Sequence, residues 1–238
     1  MGGKKSCPVV KMIGTGGFIM KVIDLSHTIS ESMPYYPGTD PPTFKNLCTI
    51  ERDGFAEKKI TMMTHTGTHM DAPSHILSGA PSLDLIGPEN FCGRGVVLDF
   101  TDFSKPTIGP ADLEPHRTSV EASQFILLHT GWNKYWNTDE YYQNFPCLSP
   151  EGAKWIGQFQ PKGVGVDTIS VDPTGITGFS VHQALLKRGI MIIENLNNLE
   201  KLIHSDFFFC CFPLKIAEAD GSPVRAMAIT GMEIQTRK

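Results

Sequence analysis

Short apolar runs of about four to six residues, punctuated by glycine or proline, recur along this chain. They are too short for helices and rich in β-branched and aromatic residues, so they predict strands. The runs are Lys21–Leu25, Gly95–Phe100, Gln124–His129, Gly163–Val166, Ile190–Ile193, Phe207–Phe212 and the neighbourhood of Arg225–Thr230. Glu57–Thr64 reads as a further strand. Helical signals are fewer. Ser149–Phe159 has Ser149 as N-cap, Pro150 in the first turn and apolar Ala153, Trp155 and Ile156. Ser180–Arg188 is stopped by Gly189, and Pro110–Leu113 opens a short helix. Ser32–Pro42 is too rich in proline for regular structure. Strands outnumber helices, and the helices fall between strands late in the chain. The pattern predicts an α/β fold, a single domain around a mixed sheet over residues 20–238.

Residues 1–19 break the pattern, with glycine-rich patches and little periodicity before Met20 and the first strand. They read either as a mis-assigned start or as an N-terminal arm lying on another subunit. Met1-Gly2 with Ser6 formally matches a myristoylation signal of low specificity. Lys11 and the glycines break the apolar stretch that a signal peptide needs.

Length and charge narrow the class. At 238 residues the chain can bury a large core. A formal net charge of −4 with no basic stripe gives no footprint for nucleic acid. No apolar run approaches the ~20 residues needed to span a bilayer. The six cysteines form no CxxC and read as reduced thiols of a cytoplasmic protein.

Chemistry concentrates in one place. Thr64–Ile76 (THTGTHMDAPSHI) carries His65, His69, Asp71 and His75 within eleven residues. Imidazoles with a carboxylate suit Zn, Mn or Fe(II), and no thiolate suggests a structural finger. On a helix, Asp71 would be carried away from the face shared by His65 and His69. On a flat strand His65 and His69 would stand about 13 Å apart, too far for one ion. The segment is therefore expected to be an irregular loop, bent at Gly67 and delivered by the strand before it. That differs from the helical HExxH of metalloproteases.

Two later residues are ambiguous on their own. Glu194 ends an apolar strand, where a buried carboxylate needs a cation or a partner, unless it simply surfaces and caps a loop. His182 shares a helix face with Leu185 and Leu186, as a ligand or as a core histidine. Asp167, after Gly163–Val166, reads as structural.

The stretch HTGTHMDAPSH (His65–His75) resembles the HxGTHxDxPxH signature of the cyclase family of metal-dependent hydrolases, which includes bacterial kynurenine formamidase and isatin hydrolase. Ile23–Ser26, Tyr36-Pro37-Gly38, Gly165–Pro173, Ile193–Leu199 and Asp220–Ala226 resemble family segments in the same order. The resemblance implies that His65, His69 and Asp71 bind one ion, and that Asp71 bridges to a second held by His182 and Glu194. The ions would be Zn2+, two per chain, with Mn2+ as the alternative. It makes His75 the proton donor and acceptor. Tyr36 stands where the formamidases carry a pocket-lining tryptophan, a departure that bears on the substrate rather than the chemistry. Also implied are the swivelling β/β/α fold, a homodimer or homotetramer, and a small-molecule substrate.

The activity that follows is hydrolysis of a small amide or lactam by metal-activated water. Within the family this is an arylformamidase of tryptophan catabolism, or a lactam or lactone hydrolase of the isatin type. Two rivals remain. A serine or cysteine hydrolase would need a GxSxG that is absent, since Gly178–His182 (GFSVH) only superficially recurs to it. A non-catalytic metal- or ligand-binding protein would keep the ligands without turnover. Tyr35, Tyr36, Phe44 and Trp132 could line an aromatic pocket, with Phe44 and Trp132 expected in the core instead.

Overall fold

The computed structural model describes residues 20–102, 105–175 and 177–231. The proposed arm over residues 1–19 lies outside the described residues. The first strands in chain order are β1 (Lys21–Asp24), β2 (Thr43–Cys48), β3 (Glu57–Thr61), β4 (His69–Asp71), β5 (Cys92–Asp99) and β6 (Thr107–Ile108). They are followed by β7 (Phe125–His129), β8 (Cys147–Leu148), β9 (Gly163–Val166), β10 (Met191–Glu194), β11 (Phe207–Cys210), β12 (Gly221–Pro223) and β13 (Met227–Thr230). The helices are α1 (Ile50–Asp53), α2 (Pro110–Leu113), α3 (Arg117–Glu121), α4 (Pro150–Gly157) and α5 (Ser180–Leu186).

A nine-stranded sheet runs in the order β1-β13-β11-β5-β7-β9-β10-β4-β12. Its centre, β5-β7-β9-β10, is parallel, and both flanks are antiparallel. Parallel strands covered on both faces read as unbroken apolar runs, which is why these strands were plain in the sequence. Alternation along them fills two cores. Ile126, Leu128, Val164, Val166 and Ile192 pack with Ile156 of α4 and Val181 and Leu185 of α5. Phe125, Leu127, Met191, Ile193, Phe207 and Phe209 pack with Leu25 and Met70 on the opposite face. Each fully buried ring contributes roughly 1.5–3 kcal/mol of transfer free energy.

The same alternation aims the polar residues. Met70 of β4 belongs to the second core, so His69 and Asp71 on either side of it face the helical layer. Register then places His69 opposite Glu194 and Asp71 opposite Ile192. Only a short turn joins α5 to β10, so the beginning of the helix lies over the carboxyl end of the strand. That brings His182 to Glu194.

The expected α/β fold around a mixed sheet is the one observed, and each apolar run overlaps a strand. Ser149 caps α4 by accepting from the Gly152 N–H, as read. Three expectations need correction. The histidine-rich segment is not a loop throughout. Thr64–Thr68 is irregular and bends at Gly67 (φ 66°), but His69–Asp71 is a strand and Pro73–His75 a 3-10 turn. The bend at Gly67 lets His65 approach His69, which a flat strand from His65 to His69 would not allow. The strand before it, β3, belongs to a separate two-stranded ribbon with β2 rather than to the main sheet. Phe44 lies on that ribbon, half-buried beneath the Lys58 ammonium, and not in the core. Trp132 packs against the buried aromatic cluster of Tyr141 and Phe145 as expected.

Candidate metal centre

His65, His69, Asp71, His75, His182 and Glu194 converge on one face of the sheet. His65 Nδ1 stands 2.8 Å from Asp71 Oδ1, and His69 Nε2 lies 3.3 Å from the same oxygen. His69 Nε2 is 3.4 Å from Glu194 Oε2. His182 Nε2 is 3.6 Å from Asp71 Oδ2 and 3.5 Å from Glu194 Oε1. His69, Asp71, His182 and Glu194 are buried, while His65 and His75 are partly open. Donor atoms of His65, Asp71 and His75 form one group within 4.8 Å, and those of His69, Asp71 and Glu194 form another.

Two of these buried atoms, His69 Nε2 and Asp71 Oδ2, have no hydrogen-bond partner despite their charged neighbours. A buried polar atom left without a partner costs on the order of 1–3 kcal/mol. Two such atoms side by side, flanked by carboxylates, form a cradle for a cation.

The surrounding residues fix each imidazole. His69 Nδ1 donates to the Gly67 carbonyl at 2.8 Å, so its Nε2 faces the cluster. Asn195 donates to that same carbonyl and accepts from the buried Tyr141 hydroxyl. Asp172 accepts from His182 Nδ1 at 2.7 Å and from the backbone N–H groups of Val181 and His182. It therefore caps α5 and orients the histidine together. Asp220 reaches His65 Nε2 at 3.1 Å and lies 3.5 Å from His75 Nδ1.

Electrostatics are set by this crowding. Burial alone would lower the His69 pKa, but Asp71 and Glu194 override it and hold it up at about 10. Burial is likewise outweighed at His182, where Asp172, Asp71 and Glu194 push the pKa up to about 12. The Asp71 carboxyl is held well below its ordinary range despite burial, by His65, His182 and His69. Burial lowers His75 below an ordinary imidazole.

A cavity of about 180 Å³ opens onto the cluster, lined by His65, His69, His75, His182 and Glu194 on its polar side. Tyr35, Tyr36, Ile169 and Phe179 form its apolar side. A larger groove of about 430 Å³ runs along β5 past Arg94, Asp99, His116 and Asp206. Among the described residues it contains no cluster of metal-ligand side chains. The smaller cavity is the one with chemistry in it.

Sequence reading brought in His65, His69, Asp71, His75, His182, Glu194 and Tyr36, and the structure gathers all of them around this cavity. It assigned no role to Asp172, Asn195, Asp220 or Gly221, although each lies in a segment that resembles the family. Gly221 pairs with Asp71, and a Cβ there would come within 2.5 Å of His65 Cε1. Asp167 is structural, as expected, accepting from His129 Nδ1 and from the N–H groups of Thr130 and Gly131.

The model of the Cyclase family, described as "Putative cyclase", matches residues 23–173. The chain belongs to this family. A kynurenine formamidase of Bacillus cytotoxicus is 31% identical over 206 residues, covering 86% of this chain and 95% of the relative. Isatin hydrolase A from Ralstonia solanacearum superposes with a TM-score of 0.78 at 25% identity, over 89% of this chain and 92% of that one. A structure described as a potential metal-dependent hydrolase with cyclase activity matches with a TM-score of 0.73 at 27% identity, over 90% and 100%. A metal cofactor and a small-molecule substrate accompany this cyclase-family membership. Among the described residues, no helix is long and apolar enough to cross a membrane.

Proposed function

We propose that this cyclase-family protein is an arylformamidase, a binuclear metal-dependent hydrolase that cleaves N-formylkynurenine to kynurenine and formate. The observation that carries the reading is the convergence of imidazoles and carboxylates around the partnerless atoms His69 Nε2 and Asp71 Oδ2. His65, His69 and Asp71 would hold one ion, and His182 and Glu194 a second one shared through Asp71. Such nitrogen and oxygen donors suit Zn2+ or Mn2+. A divalent cation bound there acidifies water and polarises a carbonyl oxygen.

The protein's own residues do the rest. The Gly67 carbonyl and Asp172 hold the protons of His69 and His182 on Nδ1, leaving Nε2 free to face the cavity. His75, its pKa lowered by burial, stands at the cavity as a free base. It takes a proton from the attacking water and gives it to the formamide nitrogen as the carbon–nitrogen bond breaks. The oxygen stays on formate and the proton leaves on the amine. Tyr36 lines the apolar side and contacts the substrate there.

A lactam or lactone of the isatin type is the alternative substrate, since the same attack opens a cyclic acyl bond. A metal-binding protein without catalysis would keep the cluster but show no turnover. Replacement of His75 by alanine tests the reading: kcat should fall about 10²–10⁴-fold with metal content intact. One observation favours a second role for His75, because its donor atom groups with those of His65 and Asp71. If the His75→Ala protein loses metal along with activity, His75 is a ligand and the shuttle assignment is wrong.

The assembly we propose is a homodimer or homotetramer. The β2–β3 ribbon and the connection through α1 leave Leu47, Ile50, Phe55 and Ile60 exposed, and an isolated two-stranded ribbon is marginal in water. The cytoplasmic location proposed for it accords with the free thiols of Cys48, Cys92, Cys147, Cys210 and Cys211. Light scattering of the purified protein measures the assembly, and a monomer would refute it.

A further inference from the structure

Neither metal binding nor folding calls for the residue before α5. Phe179 sits in the left-handed region, at φ 42° and ψ 56°. Such backbone is strained for a bulky side chain, and Asn or Gly adopts it more readily. An N-cap side chain ordinarily accepts a bond from the first turn, but Phe179 makes none. Asp172 caps α5 in its place. Burial does not hold the ring either, because Phe179 is 38% exposed.

What the ring does face is the cavity. The ring meets the His182 ring edge to face, with centroids 5.7 Å apart at 81°. Tyr35, itself 40% exposed, and Tyr36 line the same space with Ile169. A residue that breaks the local backbone preference beside an active site is expected to serve the site.

We propose that Phe179 is a specificity-determining residue that, with Tyr35 and Tyr36, receives the flat aromatic ring attached to the scissile amide. This rests on the amidohydrolase reading and adds the feature that selects aryl over alkyl amides. The cavity of about 180 Å³ is smaller than ordinary ligand clefts and suits one ring with a short chain. Offset or edge-on contacts between rings favour an aryl substrate by up to about tenfold.

The test uses the full-length, metal-loaded protein with Phe179→Asn and Phe179→Tyr. Formanilide and N-methylformamide serve as aryl and alkyl formamides, and kynurenine binding is measured separately by calorimetry. Phe179→Asn should keep its metal and melt no lower than the parent, because the strain is relieved. Its kcat/KM preference for formanilide and its affinity for kynurenine should each fall by about tenfold, and Phe179→Tyr should retain both. Unchanged preference and affinity in Phe179→Asn would overturn the proposal, and so would a lower melting temperature. If the parent hydrolyses neither formamide, the arylformamidase reading fails and kynurenine binding alone judges Phe179. A loss of affinity in Phe179→Asn would then sustain the proposal, while unchanged affinity or no binding by the parent would overturn it.

Discussion

His69 and Glu194 face each other across the β4–β10 ladder, with His69 Nε2 3.4 Å from Glu194 Oε2. The two residues are far apart in sequence, and the antiparallel register alone makes them neighbours on the helix-facing side. Both are buried: Asp71 and Glu194 hold the charge on His69, and His182 and His69 hold the charge on Glu194 against the repulsion of Asp71.

Removing one member should therefore destabilise as well as disarm. In the metal-free protein, His69→Ala leaves Asp71 and Glu194 with less positive charge, at a cost on the order of 3–5 kcal/mol. Metal content should fall in the same variant. Thermal melts with and without chelator, read beside elemental analysis, check both. Parental melting and metal content in His69→Ala would contradict the assignment.

Metal binding should release protons. His69 and His182 are protonated at neutral pH in the metal-free state, with pKa values near 10 and 12. A ligand imidazole must be neutral, so Zn2+ added at pH 7 should free on the order of two protons per chain. The sign for stability follows from the raised values. Metal-free His69 adds stability that is complete below its ordinary 6.5 and is lost as pH climbs through about 10. The metal-free protein should therefore melt lower at pH 10 than at pH 7, while metal affinity rises over that interval. Titration in buffers of different ionisation heat measures the release. Binding without it would contradict the cluster.

Asp172 joins two functions that a substitution should lower together. Asp172→Asn places an amide against the His182 Nδ1 and backbone donors that the carboxylate now accepts. Metal affinity should fall about 10–100-fold. Loss of the cap should lower stability by about 1 kcal/mol. A chelator-competition titration and a urea melt separate the effects, and a change in stability alone would leave His182 without its positioning partner.

Gly221 tests the placement of His65. An alanine Cβ would lie 2.5 Å from His65 Cε1, and the pairing of Gly221 with Asp71 prevents the backbone from retreating freely. Gly221→Ala should displace the imidazole, reduce metal content and cost about 1–3 kcal/mol. Normal metal content and an unchanged melt would show that His65 lies elsewhere.

The legibility of the chain tracks how local each signal is. Gly163–Val166 and Phe125–His129 are buried on both faces, so their apolar runs announce strands without any knowledge of their neighbours. Ser149 and Pro150 mark the start of α4 by chemistry confined to its first turn. By contrast β4 and β12 are three residues each, and their pairing with one another and of β4 with β10 links distant parts of the chain. His69-Met70-Asp71 alternates polar and apolar, but three residues are too few to reveal a strand, which is why the segment reads as loop. His65, His69, Asp71 and His75 were legible because they crowd one short stretch. Their supports were not, because Asp172, Asn195, Asp220 and Gly221 act only through contacts that folding creates.

Metal content and turnover measured on one purified sample, before chelation, after it and after reconstitution, test the central claim most directly. The account predicts about two Zn or Mn ions per chain, with hydrolysis of N-formylkynurenine or an isatin-like lactam lost on chelation and restored with metal. A protein that takes up no metal on reconstitution, or that hydrolyses its substrate equally well without it, would contradict the account.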